Sequence, residues 1–352
     1  MLEIKASPGR EEVRSAHQDG RLLLLWLEVW PYCHLNCRFC FNSGGSAVAG
    51  TGWLAELDYL RTLEEFASLG GKYIGIPGYG EPSFGENRSL TLCLLREAKR
   101  LGIQASVFTS GDLLDEELVE TLCSLDVSLM VKFNSFDQDA QDALVGRRGY
   151  SRRRAKCLER LYRLGFNRPE PDRNGRHTTR LGFVTSILPE NLQSIPDIWD
   201  YCERHNIFAD IDTILPQGRG QDLVSIQGIE NVSIALTEKP MHSPTYICKD
   251  GKCERTRHGL YMDYRGTIFP CLGCKDVSTS HTAMNLGSLR DGGLAAAWSL
   301  PLMEKIRRRE YSGKCVTCSH FQSGECNSCF GRCFGGLING SLVMNGCPFF
   351  SS

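Results

Sequence analysis

Three cysteines fall within eight residues in the run Cys33-His-Leu-Asn-Cys37-Arg-Phe-Cys40. Three thiolates in so short a loop can hold three corners of a cubane iron–sulfur cluster. One iron is then left open to a ligand that is not protein, as catalytic metal sites require. Structural zinc would want a fourth ligand. No cysteine follows before Cys93, and His34 sits directly beside Cys33. A second candidate lies at Gly78-Tyr79-Gly80-Glu81-Pro82, where glycines allow close backbone approach to a ligand and proline fixes the turn. By itself that run is also ordinary strand-end turn chemistry.

Cysteine usage bounds the compartment. The chain of 352 residues carries 17 cysteines, which suits either a secreted disulfide framework or a metal protein in a reducing environment. Its N-terminus is polar and mixed in charge, without a signal-peptide pattern. The apolar run Leu22–Trp30 is broken by Glu28 and is too short to span a bilayer. The expectation is therefore thiolate-bound metal in the cytoplasm. A formal net charge of −1 gives no ground for nucleic-acid or membrane binding.

The elements that must position these residues read as α/β. Strand patterns fall at Leu22–Trp30, Tyr73–Ile76, Gln104–Thr109, Ser128–Phe133, Arg180–Ser186 and Phe208–Ile214. Helical spacings lie between them, such as Leu57, Leu60, Leu63 and Ala67, or Leu158, Leu161 and Tyr162. Ser151 suits an N-cap, and Gly165 a helix stop. Six alternations imply a parallel sheet with right-handed crossovers, as an open sheet or partial barrel, with its chemistry at the C-terminal strand ends. After Leu215 the pattern fades. Ten cysteines lie between Cys248 and Cys347, and a segment with so little apolar periodicity is expected to be organised by metal. The expected divisions are an extension over 1–21, a barrel over 22–220 and a cysteine-rich domain over 221–352.

The Cys-x₃-Cys-x-aromatic-Cys loop after a first strand, with Phe39 as the aromatic, resembles the signature of radical S-adenosylmethionine (SAM) enzymes. The resemblance implies a partial (β/α)6 barrel and a [4Fe–4S] cluster on Cys33, Cys37 and Cys40. SAM would chelate the open iron and be cleaved reductively to a 5′-deoxyadenosyl radical that abstracts hydrogen from substrate. Gly78-Tyr79-Gly80-Glu81-Pro82 is similar to the family's Gly-Gly-Glu-Pro motif, which implies SAM contacts at Gly78, Gly80 and Glu81; here Tyr79 splits the glycine pair. The same likeness implies contacts at Phe39, and at Asn134 and Ser135 after the fourth strand, although Asn-Ser is also common turn chemistry.

The later array, Cys253-x₁₂-Gly266-x₄-Cys271 followed by Cys315-x₂-Cys318, Cys326, Cys329-x₃-Cys333 and Cys347, resembles the SPASM domain. That implies two auxiliary [4Fe–4S] clusters, one on Cys248, Cys253, Cys271 and Cys333, the other on Cys315, Cys318, Cys329 and Cys347. Cys326 rivals Cys329, and Cys274 is left over. Paired zinc ribbons are the alternative.

Cys93, Cys123, Cys157 and Cys202 lie in helical patterns and read as packing residues, although a hydrogen-donor role is open to any of them. Arg147, Arg148, Arg152, Arg153 and Arg154 read as a solvated face or as a docking patch for an acidic partner. Arg219 is expected either to reach SAM or substrate or to lie in a linker.

The resemblance implies hydrogen abstraction for oxidation, cross-linking or epimerisation of a peptide, with flavodoxin or ferredoxin as reductant. Only about thirty residues precede the triplet, so a leader-binding function is expected from a separate protein. The alternatives are dehydrogenation or epimerisation of a sugar or aminocyclitol, and a non-enzymatic electron carrier. The open iron argues against a carrier.

Overall fold

A computed structural model describes residues 2–45, 51–172, 174–214, 217–223, 255–275, 284–323, 335–338 and 341–344. These residues divide into two compact units. The first holds residues 2–7, 28–45 and 75–223; the second holds 8–27, 51–74 and the described residues from 255 onward.

In chain order the strands and helices up to Thr213 are β1 (Glu3–Ile4), α1 (Arg10–Asp19), β2 (Leu24–Leu27), α2 (Glu56–Ser68), β3 (Tyr73–Ile76) and α3 (Glu86–Arg100). There follow β4 (Gln104–Thr109), α4 (Glu116–Ser124), β5 (Ser128–Lys132), α5 (Gln138–Val145) and α6 (Tyr150–Arg163). Next come β6 (Glu170–Pro171), β7 (His177–Thr179), β8 (Leu181–Ile187), α7 (Ile195–Arg204) and β9 (Phe208–Thr213).

The first unit is built on the strand order β4-β5-β8-β9. Pairings β4–β5, β5–β8 and β8–β9 are all parallel. Register places Lys132, Val184 and Asp210 in one row across three strands, so their side chains share a face. Strands β1, β7 and β6 form a separate small sheet that the sequence pattern did not announce, being two to three residues long. The expected six strands are all present, and β3 and β4 have the expected bounds. Strand β2 is shorter than Leu22–Trp30 because the chain leaves the ladder after Leu27.

Helix starts show how side chains satisfy free backbone donors. Asp115 accepts from Leu118 N at 2.9 Å, and Asp137 from Ala140 N at 2.7 Å. Ser151 is not the N-cap of α6, contrary to expectation. Gly149, at φ 75°, takes that place, and Asp142 accepts hydrogen bonds from Gly149 N and Ser151 N. A carboxylate from the preceding helix has replaced the local hydroxyl. Gly165 does end the helix, at φ 72°, with Gly165 N donating to Tyr162 O and Phe166 N to Leu161 O.

The second unit has the strand order β11-β10-β2, with β10 (Gly259–Met262) parallel to β2 and β11 (Ile268–Phe269) antiparallel to β10. The apolar face of α2 differs from the expected one. Tyr59, Leu63 and Phe66 are fully buried while Leu57 is 54% exposed, because the large aromatic pair, seven residues apart, sets the inward stripe. The cysteine-rich region also has more core than its pattern suggested. Leu260, Tyr261, Met262, Ile268, Leu294, Met303 and Ile306 are buried in strands and in helices Gly293–Trp298 and Pro301–Arg308. Elements of two to eight residues are too short for periodicity to reveal. Two short strands, Gly335–Ile338 and Ser341–Met344, pair antiparallel as β12 and β13.

Candidate active site

The cluster loop follows β2 and is pinned along its length. Asn36 N donates to Val145 O and Arg38 N to Leu144 O, at 3.0 and 3.1 Å. Leu35, Val145 and Tyr150 form a buried core against which Cys33 and Cys37 pack. Gly44 N donates to Cys40 Sγ at 3.2 Å. A Cβ at Gly44 would lie 3.5 Å from Cys40 Sγ and 3.6 Å from Cys33 Sγ, so this backbone runs close beside two of the thiols.

Burial and the nearby Glu81 charge push the Cys33 thiol up to about 12. Burial, then repulsion from Cys40 and Cys33, likewise raises Cys37. Three thiolates here therefore demand a positive group among them, and a cluster of iron supplies one. Among the described residues, no three or more His, Cys, Asp or Glu converge on one metal ion. Asn42 adds a second sign of fit: it is 6% exposed, and neither of its amide atoms has a hydrogen-bond partner. A buried amide left unsatisfied two residues beyond Cys40 suits a site completed by a bound group.

The glycine-rich turn after β3 lies against the approach to this loop. Gly78 has φ 71°. A Cβ on Gly80 would lie 2.2 Å from Trp30 O and 2.5 Å from Tyr32 O, so glycine is required there by backbone packing. Asn87, fully buried on α3, donates to Trp30 O, Tyr32 O and Glu81 O at 2.8–3.1 Å. Nothing in the sequence singled it out. The Glu81 carboxylate is buried and accepts from Ser83 Oγ at 2.6 Å, Thr109 Oγ1 at 2.5 Å and Ser110 N at 2.7 Å. Its oxygens are largely committed to holding the turn.

After β5 the backbone of Asn134 and Ser135 is held by one residue, Gln141, whose Oε1 accepts from both N–H groups. Arg154 donates to the same oxygen at 2.9 Å and lies 4.1 Å from the centroid of Phe133. Asn134 Oδ1 accepts from Ser186 N, while its buried Nδ2 has no partner. Ser135 Oγ accepts from Asp137 N. Phe39 packs with Leu144, Leu188 and Ile214, and Lys132 Nζ lies 6.0 Å from its ring centroid. Burial lowers the Lys132 ammonium. The arginine run is thus not one solvated face: Arg154 is 4% exposed and Arg153 reaches buried Asp112, both as supports of the site.

Arg219 also has a definite place. Its Nε donates to Cys37 O at 2.7 Å, an NH2 group to Gly44 O at 2.6 Å, and its backbone N to Cys40 O at 3.0 Å. It clamps the carbonyls of the cluster loop instead of lying in a plain linker. Gly218, at φ 54°, would place a Cβ 2.5 Å from Phe41 O. Arg219→Ala should leave the chain folded but lower iron retained at the catalytic site. The check is iron content and electron paramagnetic resonance (EPR) after gel filtration; wild-type retention would refute the clamp.

Of the auxiliary candidates, Cys271, Cys315 and Cys318 are described, whereas Cys248, Cys253, Cys329, Cys333 and Cys347 lie outside the described residues, as does Cys326. Cys274, left over in the spacing, sits with its Sγ 3.4 Å from that of Cys271. Cys157 and Cys202 are buried, and desolvation pushes each thiol up to about 12, in keeping with a packing role. Among the described residues no helix is long and apolar enough to cross a membrane.

A parallel α/β sheet with a three-thiol loop at the end of its first strand and a glycine-rich turn after the next defines the class: an iron–sulfur enzyme that uses SAM. Comparison specifies it. Residues 27–193 match the Radical SAM superfamily, and 253–329 match SPASM, an iron-sulfur cluster-binding domain. The chain belongs to the radical SAM family and carries a C-terminal SPASM domain. Mycofactocin maturase MftC of Mycobacterium ulcerans is 22% identical, covering 93% of this chain and 87% of the relative. PqqA peptide cyclase of Granulibacter bethesdensis is 23% identical, covering 84% and 79%. The crystal structure of Streptococcus suis SuiB bound to precursor peptide SuiA superposes with TM-score 0.64 at 16% identity, covering 92% and 76%.

Proposed function

We propose that this enzyme modifies a peptide during natural-product maturation. The observation that carries this is its likeness, over most of its length, to a maturase and a peptide cyclase. SAM bound at a reduced cluster would supply the radical that takes hydrogen from the peptide.

The chain's own residues supply binding and orientation. Cys33, Cys37 and Cys40 hold the catalytic cluster. The backbone of Gly78 and Gly80, held by Glu81, meets SAM, and the free Nδ2 of Asn134 donates to it. Ser135 and Phe39 line the same site. Two further clusters take Cys248, Cys253, Cys271 and Cys333, and Cys315, Cys318, Cys329 and Cys347, giving roughly twelve irons per chain. A flavodoxin or ferredoxin delivers electrons, a separate protein presents the peptide leader, and the reaction takes place in the cytoplasm.

Anaerobic incubation with SAM, a reductant and candidate precursor peptides tests the reading. The expected result is 5′-deoxyadenosine together with a peptide mass change. Turnover of sugars or aminocyclitols but of no peptide would overturn the substrate class. Reconstituted iron near eight per chain would remove one auxiliary cluster.

A further inference from the structure

His34 lies inside the cluster loop, yet it faces away from a ligand role. Its side chain is 2% exposed and packs on Phe84 with the ring centroids 5.1 Å apart and the planes tilted by 33°. Its Nε2 bonds Asp112 Oδ1 at 2.8 Å, and its Nδ1 is buried without a partner. Asp112 is fully buried at its side chain and is held by donors from three places in the chain. Ser110 Oγ donates to Oδ1 at 2.8 Å, and Arg153 Nε and NH2 donate to Oδ2 at 3.1 and 2.9 Å. Burial alone would raise the Asp112 carboxyl; the His34 hydrogen bond and charge, with Ser110 and Arg153, outweigh it and hold it below the usual range.

The same short turn reaches the SAM side. Ser110 N and Thr109 Oγ1 bind the Glu81 carboxylate. Tyr150 OH donates to Ser110 O at 2.7 Å, and Arg147 NH1 donates to His34 O at 3.0 Å, so helix α6 and the residues before it brace both ends. One buried carboxylate therefore stands between the loop that carries Cys33 and the turn that fixes Glu81.

We propose that Asp112 is a positioning residue that couples the two halves of the catalytic site. Through His34 it orients the Cys33 end of the cluster loop. Through Ser110 it keeps the Glu81 turn at a fixed distance from that loop. Removing the carboxylate frees both halves at once, so the open iron and the backbone of 78–81 no longer meet SAM together. Outer partners of metal ligands are typically worth about 10–100-fold in affinity or activity; Asp112 stands one contact further out, bonding no cysteine and acting through His34 and Ser110. The inference rests on the catalytic assignment of the triplet proposed above.

The test uses the full chain, anaerobically reconstituted, and measures SAM affinity and the change SAM makes in the EPR signal of the reduced catalytic cluster. Wild type must show that change; if it does not, the catalytic assignment itself fails whatever the variants do. With wild type responding, Asp112→Ala should keep near-normal iron, weaken SAM binding by about tenfold or more, and alter or abolish the spectral change. His34→Gln, which can still donate to Asp112, should recover most of the response that His34→Ala loses. The Asp112→Ala/His34→Ala double variant should be no worse than Asp112→Ala, since both act through one contact. Wild-type SAM affinity and an unaltered spectral change in Asp112→Ala would overturn the proposal. So would strict additivity of the pair, or a lowered melting temperature as the sole effect of His34→Ala. If Asp112→Ala does not fold, the His34 variants carry the same decision.

Discussion

Replacing Cys33, Cys37 and Cys40 together by Ala should reduce 5′-deoxyadenosine formation to background while the auxiliary clusters stay spectroscopically present. The triplet lies in a loop braced by backbone hydrogen bonds to Leu144 and Val145 and by Arg219, so the fold around it does not depend on the thiols. Truncating Cys33 and Cys37 removes two thiols whose packing partners are Leu35, Val145 and Tyr150, a modest loss of buried contact. Loss of the open-iron cluster, by contrast, removes the electron donor to SAM altogether. Iron should fall by about four per chain. A variant that still forms 5′-deoxyadenosine at the wild-type rate would place the catalytic cluster elsewhere.

Gly80→Ala should be almost as damaging, by a different route. The new methyl would meet the carbonyl oxygens of Trp30 and Tyr32 at 2.2 and 2.5 Å, and neither can rotate away as a side chain would. Both carbonyls are held in turn by Asn87. Relief therefore requires moving the backbone just before Cys33 or the turn of 78–81. Such forced shifts typically cost about 1–3 kcal/mol, a large share of the stability of an ordinary domain. We expect a lowered melting temperature and at least tenfold weaker SAM binding (about 1.4 kcal/mol for tenfold). Normal SAM affinity and melting would mean that the turn does not pack on the cluster loop.

Much of this architecture was legible in the sequence, because its parts carry local signals. Strands β3 and β5 are largely apolar runs, which is how strands buried on both faces read, and β4, β8 and β9 are short stretches rich in β-branched and aromatic residues. Cys33, Cys37, Cys40 and the glycine-rich turn are short-range patterns with a chemical reason for their spacing.

What the sequence did not disclose is the set of contacts that cross long distances in the chain. Asn87 on α3 holds the carbonyls of Trp30 and Tyr32, Arg219 those of Cys37 and Gly44, and Asp112 joins His34 to Arg153. In each case one ordinary polar residue acquires its role only when distant segments meet. The arginine run misled for the same reason: helical position cannot tell Arg154, buried over Phe133, from a neighbour in solvent. Ser151 had the right type for an N-cap, but the helix starts one residue before it, and Asp142, nine residues earlier, accepts from Ser151 N and Gly149 N.

The central claim is that hydrogen leaves a peptide for the radical generated at the Cys33–Cys37–Cys40 site. A precursor peptide deuterated at its side chains and backbone carbon positions, turned over anaerobically with unlabelled SAM, tests it most directly. The account predicts deuterium in the 5′-deoxyadenosine and a matching mass loss in the peptide. Modified peptide accompanied by wholly unlabelled 5′-deoxyadenosine would contradict it.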